Sequence, residues 1–311
     1  LEQAMERAAA LAGKQNSFLA TLPKLREASL AAVPGLSAER ILVEPYKKNT
    51  AGALIWAMAS IAATQGSSAS PLCFAILTAD QRIDPLPEFL ATAEKAVSLA
   101  AETKGLVTIG IRPTRPETGF GYLEIGEERG AGRQVVRFRE KPNLETAEEF
   151  VESGRFLWNA GMFFWTLEGF LAELAHARPQ MRKVFDQVCL LLSQGSSEEA
   201  ELVFSTLPSL SIDYALMERS DNVFAVEASF DWDDLGSWDA LPRSMGSDES
   251  GCTTQGPVRV VESSGCIVST QKQRVNLLGL KDLVVVVTED EVMVLPKDRS
   301  QEVKRFGGMK E

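Results

Sequence analysis

The chain has 311 residues, 45% hydrophobic and 24% charged, with a formal net charge of -11. That length supports a buried core in one large domain or a large and a small one, and the acidity sets nucleic acid and anionic membrane aside as partners. No apolar run reaches the roughly 18 residues of a membrane-spanning helix, so no transmembrane helix is expected. In chain order, residues 1–12 and 22–32 read as helices rich in Ala, Leu, Glu and Lys, residues 41–43 as a short strand, and residues 50–64 as an apolar helix capped by Asn49 or Thr50. Residues 73–77 form an apolar strand ending at Thr78-Ala79-Asp80, residues 87–103 a helix, and residues 106–111 another strand. This alternation predicts an α/β sheet covered by helices.

Beyond Gly119 the pattern is mixed. Residues 122–125 and 135–138 read as strands around a turn at 129–132, residues 146–153 and 167–177 as helices, and residues 222–228 as a strand leading into the acidic, aromatic stretch 230–238. Residues 244–257 are polar and Gly-rich and predict a linker. Strands at 258–261, 266–269, 275–279, 283–288 and 291–295, then a charged helix at 298–305, make a small β-rich domain whose spacing suits a β-solenoid or a folded-over β-layer.

Cys73, Cys189, Cys252 and Cys266 are scattered, without disulfide or metal spacing, and fit a reducing cytoplasm. His176 is the single histidine and sits in a helical stretch, so histidine-based nucleophilic catalysis is not expected. Asp80 ends an apolar strand, where ligands bind in open α/β sheets, and suits either a Mg²⁺ ligand or a turn former. Asp231, Asp233 and Asp234 repel one another unless a cation or a helix N-terminus relieves them. Gly119 and Gly121 around Phe120 permit close backbone approach to a ligand. Glu140 can accept sugar hydroxyls and Lys141 can place a point charge on phosphate, or the two form a surface ion pair. Asn159 before Ala160-Gly161 can bind a sugar ring or serve a turn, and Lys48-Asn49-Thr50 at a helix entry can bind a nucleotide or cap the helix.

These blocks together resemble the mannose-1-phosphate guanylyltransferases of the sugar-nucleotide pyrophosphorylase superfamily. The matching stretches are residues 44–51, 78–83, 110–126, 138–142, 153–164, 211–217 and 230–238, in order, with 283–305 matching the family's C-terminal end. The resemblance implies a Rossmann-like (GT-A-like) nucleotidyltransferase domain over residues 1–243, a linker at 244–257 and a β-solenoid-like domain over 258–311. It implies that GTP and mannose 1-phosphate give GDP-mannose and pyrophosphate with the help of Mg²⁺. Asp80 and Asp234 become the metal ligands, Lys141 the phosphate holder, Glu140, Asn159 and the Gly121 backbone the sugar contacts, and Lys48, Asn49 and Thr50 the nucleotide contacts. The second pKa of a phosphate monoester is about 6, so the attacking oxygen is ionised at neutral pH and needs no general base. A homodimer is among the states the resemblance admits.

The family pattern also carries an N-terminal strand and Gly-rich, Arg-containing triphosphate loop, to which nothing in residues 1–35 corresponds, so that segment is expected to lie upstream or to be lost. Gln81 stands where the family has His, and Gly52 where it has Pro. No cupin-like extension follows Glu311, which implies the short, single-activity form. The alternatives are a sugar-nucleotide-binding regulatory homologue without turnover and a pyrophosphorylase for another sugar phosphate or nucleotide. More remote is a metal-dependent glycosyltransferase suggested by Asp231-Trp232-Asp233.

Overall fold

A computed structural model describes residues 1–65, 72–236 and 238–308; Ser237, at the end of the acidic stretch, and residues 309–311 of the expected C-terminal domain lie outside the described residues. The chain divides into two compact units, one made of Leu1–Ala79 and Ile83–Asp231, the other of Asp80–Arg82 and Trp232–Glu311. The first unit opens with α1 (Glu2–Ala12), β1 (Leu19–Thr21), α2 (Arg26–Ala32) and β2 (Ile41–Val43). Next come α3 (Asn49–Gln65), β3 (Cys73–Ile76), β4 (Gln81–Asp84), α4 (Leu86–Thr103) and β5 (Leu106–Ile111). The hairpin β6 (Gly121–Arg129) and β7 (Gly132–Glu140) leads through α5 (Leu144–Ser153) to β8 (Phe156–Thr166). Then follow α6 (Leu167–Ala177), α7 (Pro179–Ser193), α8 (Ser197–Ser205), a π-helical turn at Asp213–Met217 and β9 (Val223–Glu227).

The main sheet has the order β3-β8-β5-β9-β7-β6, and β6 also pairs with the start of β8. β5 and β9 run parallel, with Leu106 opposite Val223, whereas β8 is antiparallel to β3 and β5. The sheet is therefore mixed. β8 pairs with three strands, β3, β5 and β6, and ten of its eleven residues are buried. It was not foreseen as a strand, because a strand covered on both faces reads as an unbroken apolar run rather than an alternation.

One face of the sheet carries α3, α6, α7 and α8, joined in a core that includes Ile55, Trp56, Trp165, Phe170, Phe185 and Phe204. Trp56 meets Phe204 edge-to-face at 5.2 Å. The other side is covered by α4, whose Phe89, Ala93, Ala96, Leu99 and Ala100 form a fully buried stripe at helical spacing. Phe89 and Leu99 each contribute about 1.5–3 kcal/mol on burial. The helix expected at 22–32 starts later, after a 3₁₀ turn opened by Pro23. The exposed His176 lies in the last turn of α6.

The second unit takes in residues 80–82, with the start of β4, and residues 232–234 of β10 (Asp231–Asp234), the strand that ladders with β4; α9 (Leu241–Met245) and six short strands follow. These are β11 (Thr253–Gln255), β12 (Val258–Val261), β13 (Ile267–Thr270), β14 (Val275–Leu278), β15 (Leu283–Val287) and β16 (Val292–Pro296). β11, β13 and β15 stack in parallel, β12 and β14 stack in parallel, and β16 closes the larger sheet antiparallel to β15. Two parallel stacks made by successive turns of one chain are a β-solenoid, and its core is the row Cys252, Cys266, Val268, Leu277, Val285 and Val287. A 3₁₀ segment, Lys297–Gly308, stands where the sequence predicts a terminal helix.

The expected linker at 244–257 is a correction. Residues from Cys252 onward build the first solenoid rung, with Cys252 buried and β11 laddered to β13. The polar composition misled because Asp248 folds the turn internally: its Oδ1 accepts from Ser250 N at 3.0 Å and Cys252 N at 2.9 Å. The second compact unit resumes at Trp232.

Candidate functional site

Four of the residues singled out in the sequence converge in the first unit where β6, β7 and β8 meet. Gly121 begins β6 directly opposite Glu140, the last residue of β7. A Cβ at position 121 would stand 2.7 Å from Glu140 Oε2 and 3.4 Å from Asn159 Cβ, so glycine here leaves room for the Glu140 carboxylate in its observed position. Lys141 follows in the left-handed region at φ 48°, and its N–H donates to Phe120 O at 3.2 Å. Its ammonium lies 3.3 Å from Glu140 Oε1. The Lys141 side chain is 57% exposed and that of Glu140 only 10%, so the base faces solvent while the acid lines the floor.

Asn159 is aimed by a β-bulge. The β5–β8 register passes from Thr108 opposite Phe163 to Gly110 opposite Asn159, leaving Ala160 and Gly161 as extra residues, and Gly161 takes φ 68°. Thr108 Oγ1, buried, lies 2.7 Å from Asn159 Oδ1, and Gly161 N–H donates to the same oxygen at 3.2 Å. The amide orientation is thereby fixed, with Nδ2 directed outward to donate to Asp213 Oδ1 at 3.2 Å.

Asp213 opens the π-helical turn and was not singled out by the sequence reading. The available signal was an acid embedded in the apolar run Ile212 to Met217. Burial raises its pKa above the ordinary aspartate value, against the lowering effect of Lys141. Burial likewise raises Glu140, with the Asp213 charge adding to the shift and Lys141 opposing it. Glu218, just past the turn, accepts from Glu140 N–H at 3.1 Å and ties the end of β7 to this segment.

Lys48, Asn49 and Thr50 stand at the entry of α3. Asn49 adopts φ 63°, and its Oδ1 accepts from Thr50 N–H at 2.8 Å. Thr50 Oγ1 accepts from Ile212 N–H at 2.8 Å, and Ala51 N–H donates to Leu210 O at 3.1 Å. The helix entry is thus stapled to the backbone beside Asp213. Glu44, also missed, is buried and accepts from Lys48 N–H at 2.7 Å; burial raises its pKa. A Cβ at Gly52 would collide with Lys48 Cβ, so the loop before α3 occupies the space that the family's proline would need.

In the second unit, Asp80 and Asp234 come together. β10 pairs with β4, and Leu235 N–H donates to Asp80 O at 3.1 Å. A point at the Cβ position of Gly236 would lie 3.1 Å from Asp234 Oδ1 and 3.6 Å from Asp80 Oδ2, so both carboxylates face one spot. Burial raises the Asp234 pKa, and the charges of Asp80 and Asp233 raise it further. Asp233 is held by a bidentate pair with Arg243, both contacts at 2.8 Å. Two hard oxygen donors that repel each other across a shared point suit a divalent cation. Among the described residues no group of three or more His, Cys, Asp or Glu gathers as a metal cluster, so the pair needs oxygens from a ligand or water to complete a shell.

Residues 14–250 match the family model described as nucleotidyl transferase, and residues 256–306 that described as a MannoseP isomerase/GMP-like beta-helix domain. The chain is 36% identical over 271 residues to a mannose-1-phosphate guanylyltransferase of Klebsiella pneumoniae, covering 85% of this chain and 56% of that protein. It is 36% identical over 278 residues to the alginate biosynthesis protein AlgA of Pseudomonas aeruginosa, covering 86% and 56%. The chain thus spans about half the length of the curated relatives it matches. Among solved structures, one described as a mannose-1-phosphate geranyltransferase from Thermus thermophilus superposes with a TM-score of 0.83 and 30% identity, covering 99% of this chain and 89% of that one.

Proposed function

Because the chain belongs to the nucleotidyl transferase family, we propose that it transfers a guanylyl group from GTP to mannose 1-phosphate, giving GDP-mannose and pyrophosphate. Enzymes of this family act on a nucleoside triphosphate and a sugar phosphate and generally use a divalent metal. The observation that carries the reading is the arrangement at β6–β7–β8: a glycine backbone, a recessed carboxylate, an oriented amide and a projecting ammonium. The first three suit sugar hydroxyls and the fourth suits a phosphate.

In this reading Lys141 holds the phosphate of the incoming sugar phosphate. Glu140, Asn159 and the Gly121 backbone fix the ring so that a phosphate oxygen points in line at the α-phosphorus. That oxygen is already ionised at neutral pH, so positioning and charge neutralisation supply the catalysis. Asp80 and Asp234 would hold the divalent cation, proposed as Mg²⁺, which neutralises charge developing on the phosphates. Lys48 and Asn49 would lie near the nucleotide. The Thr50 hydroxyl accepts from Ile212 and still has its own proton to offer. The four free cysteines suit a reducing compartment, and the cytoplasm is the proposed location. No helix among the described residues is long and apolar enough to cross a membrane.

The test is pyrophosphate release by the full gene product with Mg²⁺, mannose 1-phosphate and each of the four nucleoside triphosphates in turn. Release with GTP alone is expected. Release with a different nucleotide would redirect the reading to another base, and no release from folded protein with any nucleotide or sugar phosphate would overturn it.

A further inference from the structure

We propose that Cys252 and Cys266 form a redox site, a pair of stacked thiols that closes to a disulfide by exchange with a low-molecular-weight disulfide.

The two cysteines belong to successive rungs of the solenoid. Thr253 of β11 stands opposite Ile267 of β13, and Thr253 N–H donates to Cys266 O at 2.8 Å. Cys252 and Cys266 are therefore neighbours at the head of one parallel ladder. Adjacent strands lie about 4.8 Å apart, inside the roughly 4.4–6.8 Å between Cα atoms that a disulfide spans. Both side chains enter the same core, where Cys252 is 2% and Cys266 0% exposed. Cys266 N–H donates to Cys252 Sγ at 3.4 Å, and the two thiols share a hydrogen bond.

Filling this core does not require sulfur. Ile267 stands opposite Val284, so Leu283 takes the same ladder position one rung later, and it packs against the same cluster. An aliphatic side chain fits the row, and what the two cysteines add is reactivity. In the closed rung that reactivity is held back. Burial raises the Cys266 pKa and the Cys252 thiol adds to the rise, while the thiols donate to Ser263 O at 3.8 Å and Ser264 O at 3.5 Å.

Access comes from the edge. β11 is three residues long and stands at the end of the order β11-β13-β15-β16. The turn before it is gathered by one carboxylate, that of Asp248, which accepts from Ser250 and Cys252. A short edge strand opens locally at lower cost than the strands behind it, and its opening brings Cys252 to solvent with Cys266 beneath.

Exchange then takes two steps. Cys252, as thiolate, attacks one sulfur of the small disulfide, and the departing small thiolate takes up the proton that Cys252 released. Cys266 gives up its proton and attacks the Cys252 sulfur of the mixed disulfide, and the second small thiol leaves with that proton. Two protein thiols are oxidised to one disulfide, and the external disulfide is reduced to two thiols. The product ties β11 to β13 and closes the short loop that carries β12, so the first rung no longer opens alone. In a reducing compartment the pair rests as thiols and closes when the disulfide pool rises.

The test equilibrates the full gene product across ratios of reduced to oxidised glutathione. Acid quenches the exchange, and alkylation after denaturation is followed by peptide mapping with mass spectrometry. A bridged peptide pair joining Cys252 to Cys266, lighter by two hydrogens, is expected, and dithiothreitol should return it to two alkylatable thiols. Cys266→Ser should stop after the first step and keep glutathione on Cys252. Three results for the parent overturn the proposal: both thiols alkylatable at every ratio, a glutathione adduct on Cys252 that never resolves, or a bridge from either residue to Cys73 or Cys189. The parent chain decides by itself should the serine variant misfold, and the readout is independent of which nucleotide or sugar phosphate is turned over.

Discussion

The carboxylates of the two units are held in opposite ways. Glu140 and Asp213 stand at the junction of three laddered strands and a π-turn, with bulge, glycine and hydroxyl contacts fixing them before any ligand arrives. Asp80 immediately precedes β4 and Asp234 ends β10 in the two-stranded ribbon, and Asp80 is exposed. The first arrangement depends on geometry already made, so it discriminates among ligands by shape and hydrogen bonding. The second is a pair of like charges that a cation relieves, so it discriminates mainly by charge. Substitutions should expose that difference, with the charge pair failing abruptly and the sugar junction failing by degrees.

The largest effect is expected at the charge pair. Asp234→Asn keeps the shape and the acceptor for Gly236 N–H but removes half of the proposed metal charge. Turnover should fall by roughly three orders of magnitude, the scale seen when an electrostatic stabiliser of the transition state is removed. Sugar-phosphate affinity in the absence of metal should stay unchanged. Steady-state pyrophosphate release and metal-free binding titration check the two halves. A variant that lost both equally would mean that the pair shapes the sugar site rather than a metal.

Gly121→Ala should act on the other side of the comparison and less severely. The added methyl would lie 2.7 Å from Glu140 Oε2 and 3.2 Å from Phe138 Cζ, so Glu140 must swing away. A positioned hydrogen bond to a charged group is worth about 1.5–3 kcal/mol, which corresponds to a sugar-phosphate KM raised by about 10- to 100-fold with kcat falling less. The nucleotide KM should not move. Initial-rate kinetics with each substrate varied in turn would show whether the loss is confined to the sugar.

How much of this was legible depended on where the determinants lay. Gly121, Glu140, Lys141 and Asn159 could be nominated because each sits in a short local pattern of glycine, charge and strand end. Asp80 and Asp234 were paired as metal ligands only through the family resemblance, because neither local pattern predicts the β4–β10 pairing that brings them to one spot at Gly236. Asp213 lay inside the matching stretch 211–217 but was not singled out, for a related reason: its partner Asn159 is far away in sequence, and its own neighbours look like ordinary core. The solenoid strands were legible because short runs rich in Val, Ile and Leu recur between polar turns, whereas its first rung was hidden by the polar turn that Asp248 organises. β8, the strand on which the site depends most, was hidden by its own burial.

The smallest effect tests the physical root of the comparison, which is that the sugar junction is made at a cost to stability. Burial raises the Glu140 pKa, Asp213 and Glu218 add to the rise, and Lys141 opposes it. An acid with a raised folded-state pKa binds its proton more tightly in the native protein than in the unfolded chain. Its penalty is therefore absent at low pH, appears as pH climbs through the unfolded value, and is complete above the folded value. Glu140→Gln should consequently raise the Tm of the ligand-free protein by a few degrees at neutral pH, and the gain should shrink as pH falls through the raised pKa. The same variant should bind mannose 1-phosphate more weakly, so stability and affinity move in opposite directions. Scanning calorimetry across the acid range, with and without the sugar phosphate, reads both. A Glu140→Gln protein less stable than its parent at neutral pH would show that the Lys141 pair stabilises the ligand-free fold, and the contrast between a preorganised junction and a repelled pair would lose its energetic basis.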